Sequence, residues 1–197
     1  TTGEGGMVVF KEKNHYEKAA AWHDHGHENN PDLPRWEDSR ASSGFNYRMN
    51  EMQGAVGLAQ LSKLDYVVSK QRKNAQMIQE VINNFPVEMR SVPSGSFETS
   101  DALVFFVDSN KSAKDCRNVL LKNGLGTKIL PEAISWHFAG TWDHMPELVK
   151  GNGGELQNAF PKSLDILNRS VSLPISIFMP NEFQNKLHDA LALVFKK

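Results

Sequence analysis

The sequence predicts an α/β protein in which a long helix leads into a small α/β unit with a short sheet. Three observations predict it. Residues 50 to 84 lack proline, are rich in helix formers, and repeat apolar residues at steps near three and four. From residue 102 onward, short apolar runs alternate with helical patterns, as strands covered by helices do. Composition is ordinary for a globular chain: of 197 residues, 40% are hydrophobic, 23% charged and 9% aromatic, which excludes disordered, collagen-like and disulfide-scaffold classes. The length allows one large domain or two small ones.

Thr1-Thr2-Gly3-Glu4-Gly5-Gly6 feeds Met7-Val8-Val9-Phe10, which reads as a glycine-rich turn running into a short buried strand. Such an opening belongs in the middle of a domain, so the expectation is a longer polypeptide. Asn14 is the expected N-cap of a helix through Tyr16, Ala19, Ala20 and Trp22 that stops near Gly26. Residues 27 to 44, with Pro31, Pro34 and Gly44, read as a long irregular loop of the kind that is functional or disordered in compact domains. The next stretch sets Met52, Val56, Ala59, Leu64, Val68, Ala75, Ile78 and Ile82 at helical spacing. As one helix it would be roughly 50 Å long, more than one small domain covers, so it is expected to bend or to span two domains. Phe85-Pro86 ends it.

Ala102 to Val107 reads as a buried strand, and Ser112 as the cap of a helix through Val119, Leu120 and Leu121 that Gly124 closes. Thr127 to Leu130 reads as a short strand. Residues 131 to 160 form a second irregular stretch, rich in aromatics and histidine, with the flexible run Gly151-Asn152-Gly153-Gly154. Phe160 to Asn168 reads as a short helix and Val171-Ser172-Leu173 as a strand. Pro180-Asn181 starts a final amphipathic helix carrying Phe183, Leu187, Leu191 and Val194.

Twenty-two Lys and Arg against 23 Asp and Glu leave a formal net charge of −1. No global basic field draws in nucleic acid or an anionic membrane. No apolar run approaches the about 20 residues of a membrane helix, and the first residues lack the basic-then-apolar pattern of a secretion signal. Cys116, the one cysteine, cannot form an internal disulfide, which fits a reducing, cytoplasmic setting; with no paired histidine motif it reads as structural. Trp22, Trp36, Trp136 and Trp142 read as packing side chains. His23, His25 and His27 have the alternate spacing that gathers metal ligands on an extended strand, but the segment reads as a helix end plus loop, so no metal site is expected.

The segment Gly44-Phe45-Asn46-Tyr47-Arg48-Met49-Asn50-Glu51-Met52-Gln53 concentrates polar groups just ahead of the long helix. A helix N-terminus offers free N–H groups and a positive dipole end to an anion. Arg48 adds a donor fork matched to phosphate or carboxylate, and Asn46 an amide donor. The same spacing is met if Asn50 caps the helix while Arg48 pairs with a nearby acid.

The opening glycine-rich segment, then His23-Asp24-His25-Gly26, then Gly44 through Ala55, occur in one order with sensible gaps. Together they resemble the DegT/DnrJ/EryC1/StrS family of pyridoxal-phosphate (PLP) sugar aminotransferases, over nearly the whole chain. Leu130-Pro131-Glu132-Ala133-Ile134, Trp136-His137-Phe138 and Trp142-Asp143-His144 resemble, more narrowly, the 8-amino-3,8-dideoxy-manno-octulosonate aminotransferases.

The resemblance implies the C-terminal part of a fold-type I enzyme. Residues 1–49 become the remnant of the large PLP-binding domain, 50–84 a long linking helix, and 85–197 the C-terminal small α/β domain. It implies a homodimer with the active site at the interface, PLP as cofactor, and transfer of an amino group from glutamate to a keto-sugar, either a nucleotide sugar or an 8-oxo octulosonate. By the same resemblance, Asn46 reaches across the dimer to the cofactor phosphate, Arg48 supports that site, and His137 falls in the substrate-binding loop. Glu4 braces the opening turn.

The family's Schiff-base lysine sits a few residues before the Thr-Thr-Gly-Glu-Gly-Gly turn, hence upstream of Thr1. The acid on the pyridine nitrogen, the ring-stacking aromatic and the phosphate-binding hydroxyls belong upstream as well. Lys11 and Lys13 read as solvated. No catalytic residue is therefore assigned in this chain, and the 197 residues alone are expected to be inactive. Two other readings remain: a non-catalytic dimerisation or interaction module using an exposed apolar stripe of the long helix, and a small metal-binding protein built on the three histidines.

Overall fold

The computed structural model describes residues 2–127, 134 and 137–195. The chain forms two compact units, one up to Leu64 and one from Asp65 on.

In the first unit the opening apolar run is not a strand. Met7, Val8 and Val9 are irregular and 89%, 74% and 85% exposed. A strand needs a neighbour to take its backbone N–H and C=O groups, and among the described residues none pairs with this segment. Helix α1 spans Lys13–His23. Its cap position is Glu12, with no side-chain cap bond, so the expected cap Asn14 lies inside the first turn. Its end follows the sequence reading. Gly26 takes φ +83° and donates its N–H to the Ala21 carbonyl at 2.7 Å, a left-handed helix stop that glycine adopts without strain.

The loop expected over 27 to 44 is irregular apart from one 3-10 turn, Arg35–Glu37. It is folded back by two isolated bridges, His27 with Arg40 and Asp24 with Asn46. At its end the backbone of Gly44 passes so close to Trp22 and Gly26 that a Cβ there would lie 2.5 Å from the Trp22 oxygen and from the Gly26 nitrogen.

The stretch read as one long helix is two, α2 (Glu51–Leu61) and α3 (Leu64–Ile82). Between them Ser62 Oγ donates to the Ala59 carbonyl at 3.0 Å and the Lys63 N–H to Gln60 at 3.1 Å. These three-residue bonds tighten the last turn of α2 and end it.

The second unit is an antiparallel sheet with helices. β1 (Glu88–Met89), β2 (Ala102–Phe106) and β3 (Ser170–Pro174) pair in the order β1-β2-β3. Glu88 faces Phe106, Leu103 faces Leu173, and Phe106 faces Ser170. The helices are α4 (Asn110–Lys122), α5 (Pro146–Gly151), α6 (Pro161–Arg169) and α7 (Phe183–Phe195); α4 packs against α6, α7 and β3.

The cap of α4 is Ser109, whose Oγ accepts from the Ser112 N–H at 3.1 Å, so Ser112 sits within the first turn instead of before it. α7 begins at Phe183, after a turn in which Phe183 donates to the Pro180 carbonyl at 3.0 Å. α5 falls inside the stretch expected to be irregular. Of the strand expected over 127 to 130, Thr127 is irregular and the rest lies outside the described residues, as do Leu130 to Ala133 and Trp136 of the narrower resemblance.

The core holds Ile78 and Ile82 of α3, Phe105 of β2, Leu120 of α4, Leu173 of β3 and Leu187 of α7, all 2% exposed or less. Each such side chain contributes about 1.5–3 kcal/mol on burial. Cys116 is buried there, which pushes its thiol up to about 12 and leaves it an inert packing group. No helix of the described residues is long and apolar enough to cross a membrane.

Candidate functional site

The end of α1 and the start of α2 are joined by short-range chemistry. The Asn50 side chain accepts from the Gln53 N–H at 2.9 Å, and the Gln53 side chain accepts from the Asn50 N–H at 3.0 Å, a reciprocal capping box. Gln53 has an amide N–H left over, and Nε2 gives it to the Glu4 carbonyl at 3.0 Å. That bond fastens the glycine-rich opening to the start of α2. Between them lies an open pocket of about 400 Å³, lined by Glu4, Gly5, Gly6, Asn46, Tyr47, Arg48, Met49 and Gln53. The size suits a small-molecule site.

Asn46 and Arg48, the two residues expected to bind the cofactor, meet here. Arg48 Nε donates to Asn46 Oδ1 at 3.1 Å, and the Arg48 backbone N–H approaches the same oxygen at 3.4 Å. An arginine only donates, so the Asn46 atom facing it is the oxygen. The Asn46 NH₂ therefore faces away from Arg48. Neither that NH₂ nor the two terminal nitrogens of Arg48 makes a hydrogen bond among the described residues.

The alternative reading of this segment is realised in both of its parts. Asn50 caps the helix, and Arg48 pairs with an acid, Asp24, at 3.2 Å from Nε to Oδ1. Asp24 is 4% exposed and also takes Arg35 Nη2 at 2.7 and 2.8 Å on its two oxygens. The Arg35 hydrogen bond holds its carboxyl below the ordinary 3.8 against the opposing effect of burial, and the charges of Arg35, Arg48 and His27 add to it. Asp38 behaves similarly. Burial pushes it up, but the backbone N–H groups of Asn30 (3.2 Å) and Asn29 (3.0 Å), with His27, outweigh that and leave it lowered. Trp22, Phe45 and Tyr47 pack on one another with centroids 5.2 to 5.6 Å apart, Trp22 edge-on to Phe45 and Phe45 stacked on Tyr47.

The donor set fits the phosphate end of a cofactor: an amide NH₂ and a guanidinium converge on a glycine-lined pocket. It does not provide a covalent anchor, because no lysine lines the pocket. Lys13 is 87% exposed and pairs with Glu17 at 3.2 Å, and Lys11 is exposed. His137 belongs to the second unit, where it is exposed. The three histidines diverge: His23 Nδ1 lies 3.1 Å from the Ala20 carbonyl, His27 Nδ1 lies 3.2 Å from Asp38, and His25 takes φ 57°. No group of three metal-ligating side chains comes together among the described residues.

Sequence reasoning left Asp24 and Arg35 without a role. The available signal was Arg48 itself, a cation just ahead of a helix N-terminus that an acid would pair, together with an aspartate inside a short motif. Nothing local says that the two meet.

Residues 1–192 match the DegT/DnrJ/EryC1/StrS aminotransferase family. The chain is 30% identical over 128 residues to the GDP-perosamine synthase of Escherichia coli O157:H7, covering 65% of this chain and 34% of that protein. It is 25% identical over 175 residues to the GDP-perosamine synthase of Vibrio cholerae, covering 88% and 44%. It thus spans less than half the length of these relatives. Its structure is similar to the sugar aminotransferase CalS13 from Micromonospora echinospora, with TM-score 0.72 and 18% identity over 97% of this chain and 48% of that one. It is also similar to Helicobacter pylori PseC, an aminotransferase involved in the biosynthesis of pseudoaminic acid, with TM-score 0.72 and 21% identity over 100% and 50%. At these identities the likeness shows the fold, the α/β fold-type I architecture of the sugar aminotransferases.

Proposed function

The chain belongs to the DegT/DnrJ/EryC1/StrS aminotransferase family, and from that premise we propose that it is the C-terminal portion of a PLP-dependent enzyme moving an amino group from glutamate to a keto-sugar. The observation that carries this reading is the pocket lined by Asn46, Arg48, Gly5 and Gly6, in which the Asn46 NH₂ and the terminal nitrogens of Arg48 make no hydrogen bond among the described residues. In this reading Asn46 Nδ2 donates to phosphate oxygens, and Arg48 offsets their charge with its terminal nitrogens. When bound, the cofactor supplies the electron sink for the carbanion chemistry; these residues bind and orient it.

The site is proposed to be shared across a homodimer, with Asn46 serving its partner's cofactor. The first unit supports that assignment through its uncovered apolar surface: Met52 is 80%, Leu58 72% and Leu61 66% exposed. His137 is proposed to meet the sugar. The acceptor is a nucleotide sugar or an 8-oxo octulosonate. The GDP-perosamine synthases support the first and the motif around residues 130 to 144 the second.

The resemblance puts the cofactor-bonding lysine upstream of Thr1, so the 197 residues alone are proposed to be inactive. Borohydride treatment with PLP is expected to fix no cofactor on this chain; a single adduct at Lys11 or Lys13 overturns that assignment. The complete enzyme, given glutamate and a panel of keto-sugars, is expected to aminate one of the two classes. Amination of none overturns the reading. The same exposed apolar side chains favour a second reading, a non-catalytic interaction module, which predicts concentration-dependent self-association of this chain without PLP binding by the complete protein.

A further inference from the structure

We infer that Asp24 is a positioning residue for the anion-binding donors: its buried carboxylate fixes the Arg48 guanidinium, and Arg48 in turn fixes which way the Asn46 amide faces. The inference rests on the phosphate role proposed above for Asn46. Arg48 Nε donates its hydrogen to Asn46 Oδ1 at 3.1 Å and lies 3.2 Å from Asp24 Oδ1 as an ion pair. With Nε anchored, the two terminal nitrogens make no hydrogen bond among the described residues, and because Arg48 holds the Asn46 oxygen, the Asn46 NH₂ faces away from Arg48.

Asp24 is itself immobilised. It is 4% exposed, it follows α1 directly, its backbone bridges Asn46, and Arg35 grips both of its oxygens. One carboxylate thus serves two guanidiniums. Without it Arg35 and Arg48 face each other as like charges, and the firm hold on Asn46 Oδ1 falls to the Arg48 backbone N–H at 3.4 Å. An amide rotated by half a turn presents its oxygen to a phosphate in place of its NH₂.

The test uses the complete enzyme with two ligands, PLP and pyridoxal, which lacks the phosphate. Dissociation constants are read from cofactor absorbance. Asn46→Ala is expected to weaken PLP about tenfold and leave pyridoxal unchanged. Asp24→Asn is expected to do the same, and to add less than about twofold when combined with Asn46→Ala, because the two act on one contact. Equal loss of both ligands, or a full second loss in the double variant, overturns the positioning role while the Asn46 reading stands. An Asn46→Ala enzyme with unchanged PLP affinity overturns both. Hydrogen exchange over α1 reports whether Asp24→Asn folds. If it does not, Asp24→Glu is read instead: it restores the carboxylate and is expected to lose less PLP affinity than Asn46→Ala with pyridoxal unchanged, and equal loss of the two ligands again overturns the role.

Discussion

α2 and α3 continue one run of helically spaced apolar residues and meet opposite fates. In α2, Met52 is 80% and Val56 45% exposed; in α3, Ile78 and Ile82 are 2% and 0% exposed. The contrast extends to the units that hold them. Among the described residues of the first unit the only buried hydrophobic side chain is Ala21, and what lies buried beside it is a carboxylate, Asp24. The second unit closes around a continuous apolar cluster between its sheet and helices. One unit is held by directional contacts (hydrogen bonds, ion pairs and a close backbone crossing), the other by area removed from water. Directional contacts fail at single points and respond to pH, whereas a core fails in proportion to the volume removed.

The largest effect that tests this contrast is in the core. Leu173→Ala, at a fully buried β3 position, is expected to cost about 2–5 kcal/mol in denaturant unfolding. A loss under about 1 kcal/mol would mean that the cluster does not carry the second unit. Next comes Gly44→Ala, which drives a methyl group into the Trp22 carbonyl and is expected to cost about 1–3 kcal/mol. Hydrogen exchange should quicken at the Phe45 and Tyr47 amides, which donate to Trp22 and His23 at 2.9 Å each; unchanged protection there would break the comparison.

Acid should act on the first unit through Asp24. Its folded carboxyl lies below the ordinary 3.8, so its contribution is fully present above that value and is lost as pH falls through the lowered one. A carboxyl carbon NMR titration is expected to show a midpoint below 3.8, and the α1-to-loop contacts should loosen over the same range. A midpoint at or above 3.8 contradicts the Arg35 and Arg48 pairing. The smallest effect is expected at the exposed stripe of α2. Met52→Ala should change the unfolding midpoint of this chain by no more than the equivalent of about 0.5 kcal/mol, and a larger loss would reveal burial that the first unit does not show.

Much of the candidate site was legible because its parts are near neighbours in sequence. Asn46, Arg48, Asn50 and Gln53 fall within eight residues, and the capping box among them follows from residue types three apart. The partner of Arg48 was not legible. Asp24 lies after another helix, and Arg35, which shares it, sits in a loop without periodicity. The run Met7 to Phe10 shows the opposite error. Its apolar residues read as a buried strand, but a strand exists only where another chain segment lines up beside it.

Local sequence by itself determined the helix-forming stretches, the stop at Gly26, the capping box before α2 and the breaker at Phe85-Pro86, since each depends on atoms within about four residues. Tertiary structure decided the two-residue strand β1, which apolar faces are covered, and the meeting of one buried carboxylate with two guanidiniums. Periodicity states that a helix has an apolar face; only segments far away in the chain determine what, if anything, lies against it.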